Sequence, residues 1–396
     1  MNMNEQMKES EESILHTYNR FPVVFEKGQG CYLYDSEGKE YLDFAAGIAV
    51  NSLGYHYPGY DEALKDQIDK LMHISNLYYN EPIIEAGAKL VKAGKMSKAF
   101  FTNSGTEAIE GALKAAKKYA YVRDGHADHE IIAMNHSFHG RSIGALSVTG
   151  TAHYREPFEP LMGGVKFADF NDLESVKAQI TDKTCAIITE VVQGEGGIYP
   201  AKKEFLEGLR QICDEKDIML IFDEIQCGMG RTGYYFAWQA YGVQPDIMTS
   251  AKALGCGVPV GAFVLGEKAA KASLEPGDHG TTYGGNPFVC AAVSKVFDIY
   301  ENDKIIEHVQ EMTPYLEQKL DEIVAKHECA ATRRGMGFMQ GIVIQGRPVG
   351  EVVKAALTKG LLVISAGSDV LRIVPPLVIT KEHIDKMAAI LDECMK

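Results

Sequence analysis

One stretch, residues 218–261, constrains the fold of this chain more than any other part of the sequence. It opens with five consecutive apolar residues, 218–222, and these lead directly into Asp223. A short apolar run with polar residues on either side is typical of a strand that is buried on both faces of a parallel sheet. We therefore expect Asp223 just past the carboxyl end of such a strand, at the sheet edge where α/β proteins bind ligands.

The same stretch carries Lys252 after a second short strand pattern at residues 247–249. Small residues flank this lysine and leave room for a bulky group beside its amine. A lysine and a carboxylate at one sheet edge suit pyridoxal phosphate, whose aldehyde binds a lysine and whose ring nitrogen is kept protonated by an acid. A second interpretation stays open on these two residues alone, namely a hydrogen-bonded buried aspartate and a surface lysine.

The composition indicates a globular protein and excludes several kinds of partner. A chain of 396 residues is long enough for two domains and a sizeable core. The formal net charge of -14 argues against nucleic acid and against an anionic membrane surface as partners. The eight cysteines include no C-x-x-C pair, residues 1–13 lack the apolar core of a signal peptide, and no uncharged stretch is long enough to span a bilayer. We therefore expect reduced thiols and a cytoplasmic location.

Strand and helix patterns alternate through most of the chain. Residues 21–43 contain short apolar runs separated by glycine turns, which predicts a small antiparallel sheet. Further strand patterns lie at 96–102, 131–134, 185–189 and 218–222, and helical periodicity lies at 107–121 and 202–216. This alternation predicts an α/β fold with a mainly parallel, doubly wound sheet.

The pattern changes near residue 286. Two long helices are predicted at 288–301 and 305–326, short strands around 338–344, 361–364 and 371–374, and a last helix at 381–395. We therefore expect three parts: an N-terminal segment, 1–53, that contributes to a small domain, a large domain at 54–285, and the C-terminal small α+β domain at 286–396.

Polar groups follow several of the predicted strands. The turn at residues 102–108 opens a helix, so its free N–H groups and Gly105 favour an anion, although a plain capping turn would use the same residue types. Phe138 and Arg141 offer an aromatic face for a planar ring and a guanidinium for a carboxylate. Glu195 lies in a second glycine-rich turn. Arg372 stands in an apolar stretch, which predicts a carboxylate partner.

Nine motifs in this order resemble the class III aminotransferases of fold type I, which use pyridoxal 5'-phosphate. The resemblance runs from about residue 18 to residue 380. Its motifs are YNRFP at 18–22, DFAAGIAVN at 43–51, NSGTEA at 103–108, FHGR at 138–141, QGEGG at 193–197, FDEIQ at 222–226, GRTG at 230–233, AKALG at 251–255 and TTYGGNP at 281–287. Any one of them could occur by chance, but their joint order is specific to this family.

The resemblance implies a role for each matching residue. Lys252 would bind the cofactor's aldehyde and then shuttle the substrate proton, and Asp223 would pair with the pyridinium nitrogen. Phe138 would stack on the ring, and Gln226 would reach the phenolic oxygen. The complete implied set of cofactor-binding residues is Ser104, Gly105, Thr106, Phe138, His139, Glu190, Asp223, Gln226, Lys252, Thr281 and Thr282.

Four further residues are implied to bind substrate: Tyr18, Arg141, Glu195 and Arg372. Arg141, with help from Tyr18, would hold a carboxylate far from the reacting amine. Glu195 would pair with Arg372 and swing away when glutamate binds. The resemblance also implies a homodimer with shared active sites, in which Thr282 reaches the phosphate of the partner subunit's site.

The resemblance further implies transfer of the terminal amino group of N-acetylornithine to 2-oxoglutarate, giving N-acetylglutamate semialdehyde and glutamate. Ornithine, N-succinylornithine, N-succinyl-diaminopimelate and 4-aminobutyrate stay open as donors, because enzymes for them share this site plan. Ile48 falls where ornithine aminotransferases carry a tyrosine, which disfavours ornithine.

The sequence disfavours three other functions. Ser142 lies in a G-x-S-x-G sequence, but seven mostly polar residues separate it from the preceding strand, which disfavours a serine hydrolase. The histidine pairs 126/129 and 136/139 lack a recognisable ligand motif, so no metal is expected. A non-enzymatic binding protein on this scaffold would be expected to have lost Lys252 or Asp223, and both are present.

Overall fold

The structure is a computed structural model that describes residues 2–396. Its strands are β1 Phe25–Gln29, β2 Tyr32–Asp35, β3 Glu40–Asp43, β4 Lys98–Thr102, β5 Glu130–Met134, β6 Val165–Ala168, β7 Thr184–Glu190, β8 Val192–Gln193, β9 Tyr199–Pro200, β10 Met219–Asp223, β11 Ile247–Ser250, β12 Gly261–Leu265, β13 Ala330–Met336, β14 Met339–Ile344, β15 Leu361–Leu362, β16 Ile364–Ala366 and β17 Val370–Ile373.

Helices connect and cover these strands. They are α1 Met3–Ser13, α2 Ala46–Ala49, α3 Tyr60–Lys70, α4 Glu81–Gly94, α5 Gly105–Asp124, α6 Ile143–Ser147, α7 Ala152–Arg155, α8 Leu173–Gln179, α9 Lys203–Lys216, α10 Trp238–Tyr241, α11 Glu267–Lys271, α12 Pro287–Asn302, α13 Ile305–Lys326, α14 Val349–Thr358 and α15 Lys381–Cys394, with short 3₁₀ turns at Glu156–Phe158 and Lys252–Leu254. Within residues 2–396, none of them is both long and apolar enough to cross a membrane.

A seven-stranded sheet forms the centre of the molecule, in the order β4-β12-β11-β10-β7-β5-β6. Strand β12 is antiparallel to both of its neighbours, and the other adjacent pairs are parallel. Alternate side chains of β10 enter two separate hydrophobic clusters, Leu220 and Phe222 in one, Met219 and Ile221 in the other. Because both faces of the strand are buried, its sequence is continuously apolar. The predicted α/β fold with a mainly parallel sheet is confirmed.

Several strand boundaries differ from the prediction by one or two residues, among them those of β10 and β4. Strand β10 includes Asp223, so this residue is the last of the strand rather than the first beyond it. Strand β4 begins at Lys98 rather than at residue 96. The reason is that α4 ends in a left-handed cap at Lys95, with φ of 48°, and the N–H of Met96 bonds back to Val91 at 3.0 Å. Those residues complete the helix end and are not available to the sheet.

Three smaller sheets lie outside the central one, and the smallest is the antiparallel pair of β8 and β9. The predicted antiparallel sheet near the N-terminus is present as β1-β2-β3, and β15 joins it in parallel beside β3. The remaining sheet has the order β13-β14-β17-β16 and is antiparallel. Strand β13 was not predicted, because its sequence lacks apolar alternation and most of its residues are exposed or half-buried. The domain boundaries at residues 53 and 285 stay a prediction.

Candidate active site

A cavity of about 490 Å³ opens at the carboxyl ends of the central strands. The register of the sheet aligns Asp223 at the end of β10 with Glu190 at the end of β7 and with Thr249 in β11. Polar side chains therefore converge at one edge, as expected for a parallel sheet. The lining includes Asn103, Ser104, Gly105, Thr106, Phe138, His139, Gly140, Arg141, Glu190, Asp223, Gln226 and Lys252.

Asp223 is buried and held by three hydrogen bonds. Its Oδ2 accepts from Nδ1 of His139 at 2.7 Å. Its Oδ1 accepts from the N–H of Ile225 at 3.0 Å and from the Thr249 hydroxyl at 3.3 Å. The carboxylate is therefore fixed in orientation, and it can pair with a positively charged ring nitrogen without first reorganising.

Lys252 begins the 3₁₀ turn that follows β11, and it has a left-handed φ of 47°. This conformation is uncommon for a residue with a side chain and is concentrated at functional sites. Burial lowers the pKa of Lys252, and the Glu195 carboxylate opposes part of that effect. A lowered pKa increases the neutral fraction of the amine, which is the form that acts as a nucleophile or a base.

The start of α5 forms an anion-binding turn on one side of the cavity. Ser104 is the N-cap, and its hydroxyl accepts from the N–H of Glu107 at 3.3 Å. The N–H groups of the first helical turn and the helix dipole favour a phosphate at this end. Gly140 packs against the turn with φ of +140°, and a Cβ on it would lie 2.4 Å from the hydroxyl oxygen of Thr106. Any side chain at residue 140 would therefore displace Thr106.

Glu190 connects two loops that border the cavity. Its carboxylate accepts from the N–H of Phe138 at 3.2 Å and from the N–H of Gly194 at 3.1 Å. Burial raises the pKa of Glu190 to about 7. The side chain thus holds the loop that carries Phe138 and Arg141 next to the turn that carries Glu195.

An ion pair lies beside Lys252 where the central sheet meets the β13-β14-β17-β16 sheet. Arg372, on β17, donates through Nη1 to Oε1 of Glu195 at 2.6 Å and through Nη2 to Oε2 at 3.3 Å. Burial alone would raise the pKa of Glu195, but the Arg372 guanidinium, together with Lys252 and Gln226, outweighs burial and lowers it. Glu195 therefore carries its negative charge in the pair.

Gln226 is a third member of this cluster. The sequence predicted Gln226 as a cofactor-binding residue but did not predict its contact with Arg372. Nη1 of Arg372 donates to Oε1 of Gln226 at 3.0 Å, and the Gln226 amide faces Glu195 at 3.5 Å. The same side chain lines the cavity. Arg372 also donates to the carbonyl oxygen of Ser365 at 3.2 Å. The arginine thus keeps two neutral acceptors in addition to its carboxylate.

Arg141 lies at the mouth of the cavity with its guanidinium against two aromatic rings. The centroid of the Tyr154 ring is 4.0 Å from Cζ, and that of the Phe138 ring is 5.4 Å away. Sequence reasoning did not find Tyr154, because residues 152–155 form one isolated helical turn in a stretch without periodicity. The signal that could have found it is an aromatic residue shortly after a candidate anion-binding arginine.

Five of the predicted site residues do not line this cavity in the described chain. Glu195 and Arg372 form the ion pair described above. The other three are Tyr18, Thr281 and Thr282. Tyr18 is 71% exposed, and Thr282 is also exposed. The Thr281 hydroxyl accepts from Nδ2 of Asn103 at 3.2 Å, so Thr281 lies next to a lining residue without being one. These three are the residues that would have to act across a subunit boundary or after a movement of the chain.

The residues of the two alternative sites, the serine hydrolase and the metal site, contact neighbouring protein groups. The Ser142 hydroxyl contacts Oγ1 of Thr106 at 2.7 Å and donates to Oε1 of Glu110 at 2.5 Å. These contacts make Ser142 part of the wall beside α5. His126 and His129 lie with Asp124 in a cluster whose possible ligand atoms are within 4.8 Å of one another. Both oxygens of Asp124 already accept from Arg123, at 2.6 Å each.

The geometry agrees with the comparisons to known proteins. The chain matches the family described as aminotransferase class-III over residues 14–395. It belongs to that family. This class III aminotransferase is 47% identical over 388 residues to an acetylornithine aminotransferase of Clostridium acetobutylicum, covering 98% of this chain and 100% of the relative.

Two further relatives show the range of the family. A succinylornithine transaminase of Yersinia pseudotuberculosis is 44% identical over 385 residues, covering 94% of this chain and 92% of the relative. The solved structure of an ornithine aminotransferase from Toxoplasma gondii, with partial occupancy of pyridoxal phosphate at its active site, is 28% identical. It superposes with a TM-score of 0.95 and covers 99% of this chain and 94% of that chain. The present enzyme is therefore an aminotransferase of this fold.

Pyridoxal 5'-phosphate is the cofactor of this class III aminotransferase, and the cavity fits it. The α5 turn suits its phosphate, Asp223 its ring nitrogen, and the amine of Lys252 its aldehyde carbon. Nε2 of His139, the ring that bonds to Asp223, is buried and has no hydrogen-bond partner among the described residues. This nitrogen is therefore left without a polar partner by the protein alone. The donor set therefore matches each polar end of the cofactor.

Proposed function

We propose that this enzyme transfers the terminal amino group of N-acetylornithine to 2-oxoglutarate, giving N-acetylglutamate semialdehyde and glutamate. The observation that carries the proposal is the Glu195–Arg372 pair beside Lys252, together with Arg141 in the lining of the cavity. The relative that is 47% identical, named an acetylornithine aminotransferase, supports the same substrate. We further propose that the reaction serves arginine biosynthesis in the cytoplasm, where the eight free cysteines would stay reduced.

We assign the chemistry to named side chains. Bound pyridoxal phosphate supplies an electron-accepting ring next to the amino group of the substrate. Lys252 would hold the cofactor and then move the proton of the substrate carbon, and its lowered pKa favours the neutral amine that this step would need. Asp223 would keep the ring nitrogen charged, and the hydrogen bond from His139 orients Asp223 for this role.

The remaining assignments concern binding. Ser104, Gly105 and Thr106 would bind the phosphate through hydroxyl and backbone N–H groups at the start of α5. Phe138 would cover the ring, and Glu190 would hold the Phe138 loop in place. Gln226 would reach the phenolic oxygen.

Two arginines would let one pocket accept two different substrates. N-acetylornithine has an uncharged amide and a single carboxylate, whereas glutamate has a second carboxylate next to its amine. Arg141 would hold the carboxylate that is distal to the reacting amine in either substrate. Glu195 neutralises Arg372 in the present arrangement, so a donor without a second carboxylate leaves no buried charge unpaired. When glutamate binds, Glu195 would turn away and Arg372 would take the α-carboxylate.

We also propose a homodimer with shared active sites. Thr282 and Tyr18 are exposed in the single chain although the resemblance implies that they bind cofactor and substrate. Large apolar side chains are exposed near Thr282, which is typical of a surface that a partner covers. These side chains are Leu71, Met72, Leu77, Tyr78, Tyr79 and Tyr283, with exposures from 42% to 95%. A second copy on this surface would bring Thr282 to the phosphate of its partner subunit.

N-succinylornithine is the second candidate donor, since a succinylornithine transaminase is 44% identical to this chain. It shares with N-acetylornithine the amide and the distal amine but carries one more carboxylate. Ile48 disfavours ornithine, as it stands where ornithine aminotransferases carry a tyrosine.

Rates on a panel of donors test this function. The holoenzyme is assayed with 2-oxoglutarate and, in turn, N-acetylornithine, N-succinylornithine, N-succinyl-diaminopimelate, ornithine and 4-aminobutyrate. We expect the highest kcat/KM for N-acetylornithine, by about tenfold over ornithine and 4-aminobutyrate. Lys252→Ala should retain the cofactor and show no turnover. A higher kcat/KM for any other donor would contradict the proposed substrate.

A further inference from the structure

The guanidinium of Arg141 is oriented by aromatic rings. Its Cζ lies 4.0 Å from the centroid of the Tyr154 ring, well within the range of a cation–π contact, and 5.4 Å from that of Phe138. In the part of the chain that the structure describes, residues 2–396, no carboxylate pairs with Arg141. The N–H donors of Arg141 are consequently not used by the protein and remain available to a ligand.

Tyr154 is itself held in place on two sides. Its ring meets the Phe138 ring edge-on, with centroids 6.0 Å apart and an interplanar angle of 83°. The ring of His153 lies 5.6 Å away at a tilt of 48°. Tyr154 is half-buried and lines a neighbouring cavity of about 800 Å³ that also contains Glu195. The ring is therefore a fixed surface between the two cavities.

A long arginine at a cavity mouth samples many rotamers, and fixing it on binding costs conformational entropy. An aromatic face that holds the guanidinium beforehand reduces that cost and leaves the in-plane N–H groups free for a carboxylate. The aromatic contact also adds no negative charge, so it does not compete with the substrate for the arginine.

We propose that Tyr154 is a positioning residue that sets the orientation of Arg141 for the distal carboxylate of the substrate. The inference rests on the proposed role of Arg141 as the carboxylate-binding group. The aromatic face of Tyr154 acts, and its hydroxyl is dispensable. Removal of that face weakens binding of substrates that carry a distal carboxylate and leaves binding of amines without one unchanged.

Two matched amines separate this effect from a general loss of activity. 5-Aminopentanoate and pentylamine present the same terminal amine, but only the former carries a carboxylate. Single-turnover reactions of the holoenzyme with each amine give its apparent dissociation constant and its maximal rate. The comparison does not depend on which natural donor is preferred, so failure with N-acetylornithine and failure of this inference remain distinguishable.

For Tyr154→Leu, we expect about tenfold weaker binding of 5-aminopentanoate, unchanged binding of pentylamine and a maximal rate within about twofold of the wild type. Tyr154→Phe should behave like the wild type. Tyr154→Met, which keeps the bulk without an aromatic face, should behave like Tyr154→Leu and serves if the leucine variant does not fold. Phe167→Leu is the matched control, since Phe167 also lies 4.0 Å from a guanidinium, that of Arg155, outside the cavity lining.

A double-mutant cycle completes the test. Arg141→Ala should abolish the advantage of 5-aminopentanoate over pentylamine, and adding Tyr154→Leu should cause no further loss. Three results would each overturn the inference: equal weakening of both amines by Tyr154→Leu, failure of Tyr154→Phe to match the wild type, or additive losses with Arg141→Ala.

Discussion

Arg372 donates hydrogen bonds to one charged acceptor and to two neutral ones. It donates to Glu195 and also to the neutral oxygens of Gln226 and Ser365. When Glu195 turns away, these neutral acceptors would still hold the guanidinium in place. Under the proposed function, the arginine would thus be prepared for the α-carboxylate of glutamate, which N-acetylornithine does not present there.

The charge of Glu195 should therefore decide between the two half-reactions. Glu195→Gln removes the negative charge and leaves Arg372 free, so we expect glutamate to gain about tenfold in specificity relative to N-acetylornithine, or about 1.4 kcal/mol. Arg372→Ala should slow the glutamate half-reaction most, because the α-carboxylate loses its partner. Single-turnover kinetics measure each half-reaction separately.

The control for this prediction is Asp169→Asn. Asp169 lines the same neighbouring cavity as Glu195, but its carboxylate accepts from Asn135 at 2.6 Å. Asp169→Asn removes one negative charge, as Glu195→Gln does, but it does not free Arg372. The rates of both half-reactions should therefore change equally. If Glu195→Gln and Arg372→Ala also slowed both half-reactions equally, the pair would be structural and the proposed switch would be wrong.

At the scale of elements, the ends of adjacent strands determine the electrostatics of the site. Parallel pairing brings the last residues of β7 and β10, Glu190 and Asp223, into register. The loop after β10 adds Glu224, whose carboxylate accepts from the N–H groups of Ala237 at 2.8 Å and Trp238 at 2.9 Å. Glu224 thus ties this loop to the start of α10.

The buried carboxylate of Glu224 should make stability fall as pH rises. Burial raises the pKa of Glu224 from 4.5 to about 7. Between these two values the folded protein binds more protons at this residue than the unfolded chain, so unfolding becomes easier with increasing pH. We expect the wild type to lose up to about 1.4 kcal/mol per pH unit in this window relative to Glu224→Gln.

The measurement is the unfolding midpoint of both proteins from pH 5 to pH 8, at fixed protein and cofactor concentrations. Glu190 is present in both, so its own raised pKa cancels in the difference. The glutamine variant has a different absolute stability because it loses one acceptor oxygen, and only the change of the difference with pH is informative. Parallel curves would show that the Glu224 pKa is not raised.

In the whole molecule, Thr282 can serve either the active site of its own chain or that of a partner subunit. In the single chain this residue is exposed and does not line the cavity that contains Lys252. The apolar side chains around Tyr79 and Tyr283 are exposed near it. A shared site would explain both observations, because a partner would cover the apolar surface and place the threonine at the phosphate.

Complementation between two inactive variants tests sharing directly. Thr282→Glu places a negative charge beside the phosphate, and Lys252→Ala removes the reacting amine. If sites are shared, a hybrid dimer of these two chains contains one intact site, with Lys252 from one chain and Thr282 from the other. Random reassociation of equal amounts should restore about a quarter of the wild-type activity.

The control is the double variant, Lys252→Ala with Thr282→Glu, mixed with the wild type, which in a shared-site dimer leaves no intact site in the hybrid. If Thr282 served the site of its own chain, the mixture of single variants would remain inactive and the control hybrid would keep one working site. That reversed result would contradict the proposed assembly.

Local sequence pattern predicted five of the seven strands of the central sheet and the edge at which its site lies, whereas β6 and β12 were not predicted. The apolar run of β10 can be buried on both faces only in a covered parallel sheet, and parallel strands end at one common edge. Asp223, Glu190 and Lys252 therefore meet there whatever the rest of the chain does. Helix α13, Ile305–Lys326, was likewise predicted at its observed bounds, because its apolar periodicity is uninterrupted.

The contacts between separate sheets and loops were decided only by the tertiary structure. An arginine in an apolar stretch indicates that Arg372 needs a carboxylate, but local pattern does not identify a partner 177 residues away. The position of Tyr154 against Arg141 and the contact of Gln226 with Arg372 are of the same kind. The contacts of Arg372 depend on how one sheet packs on another, and the contact of Tyr154 depends on the path of the irregular connection between β5 and β6. Neither hydrophobic periodicity nor turn chemistry records such packing.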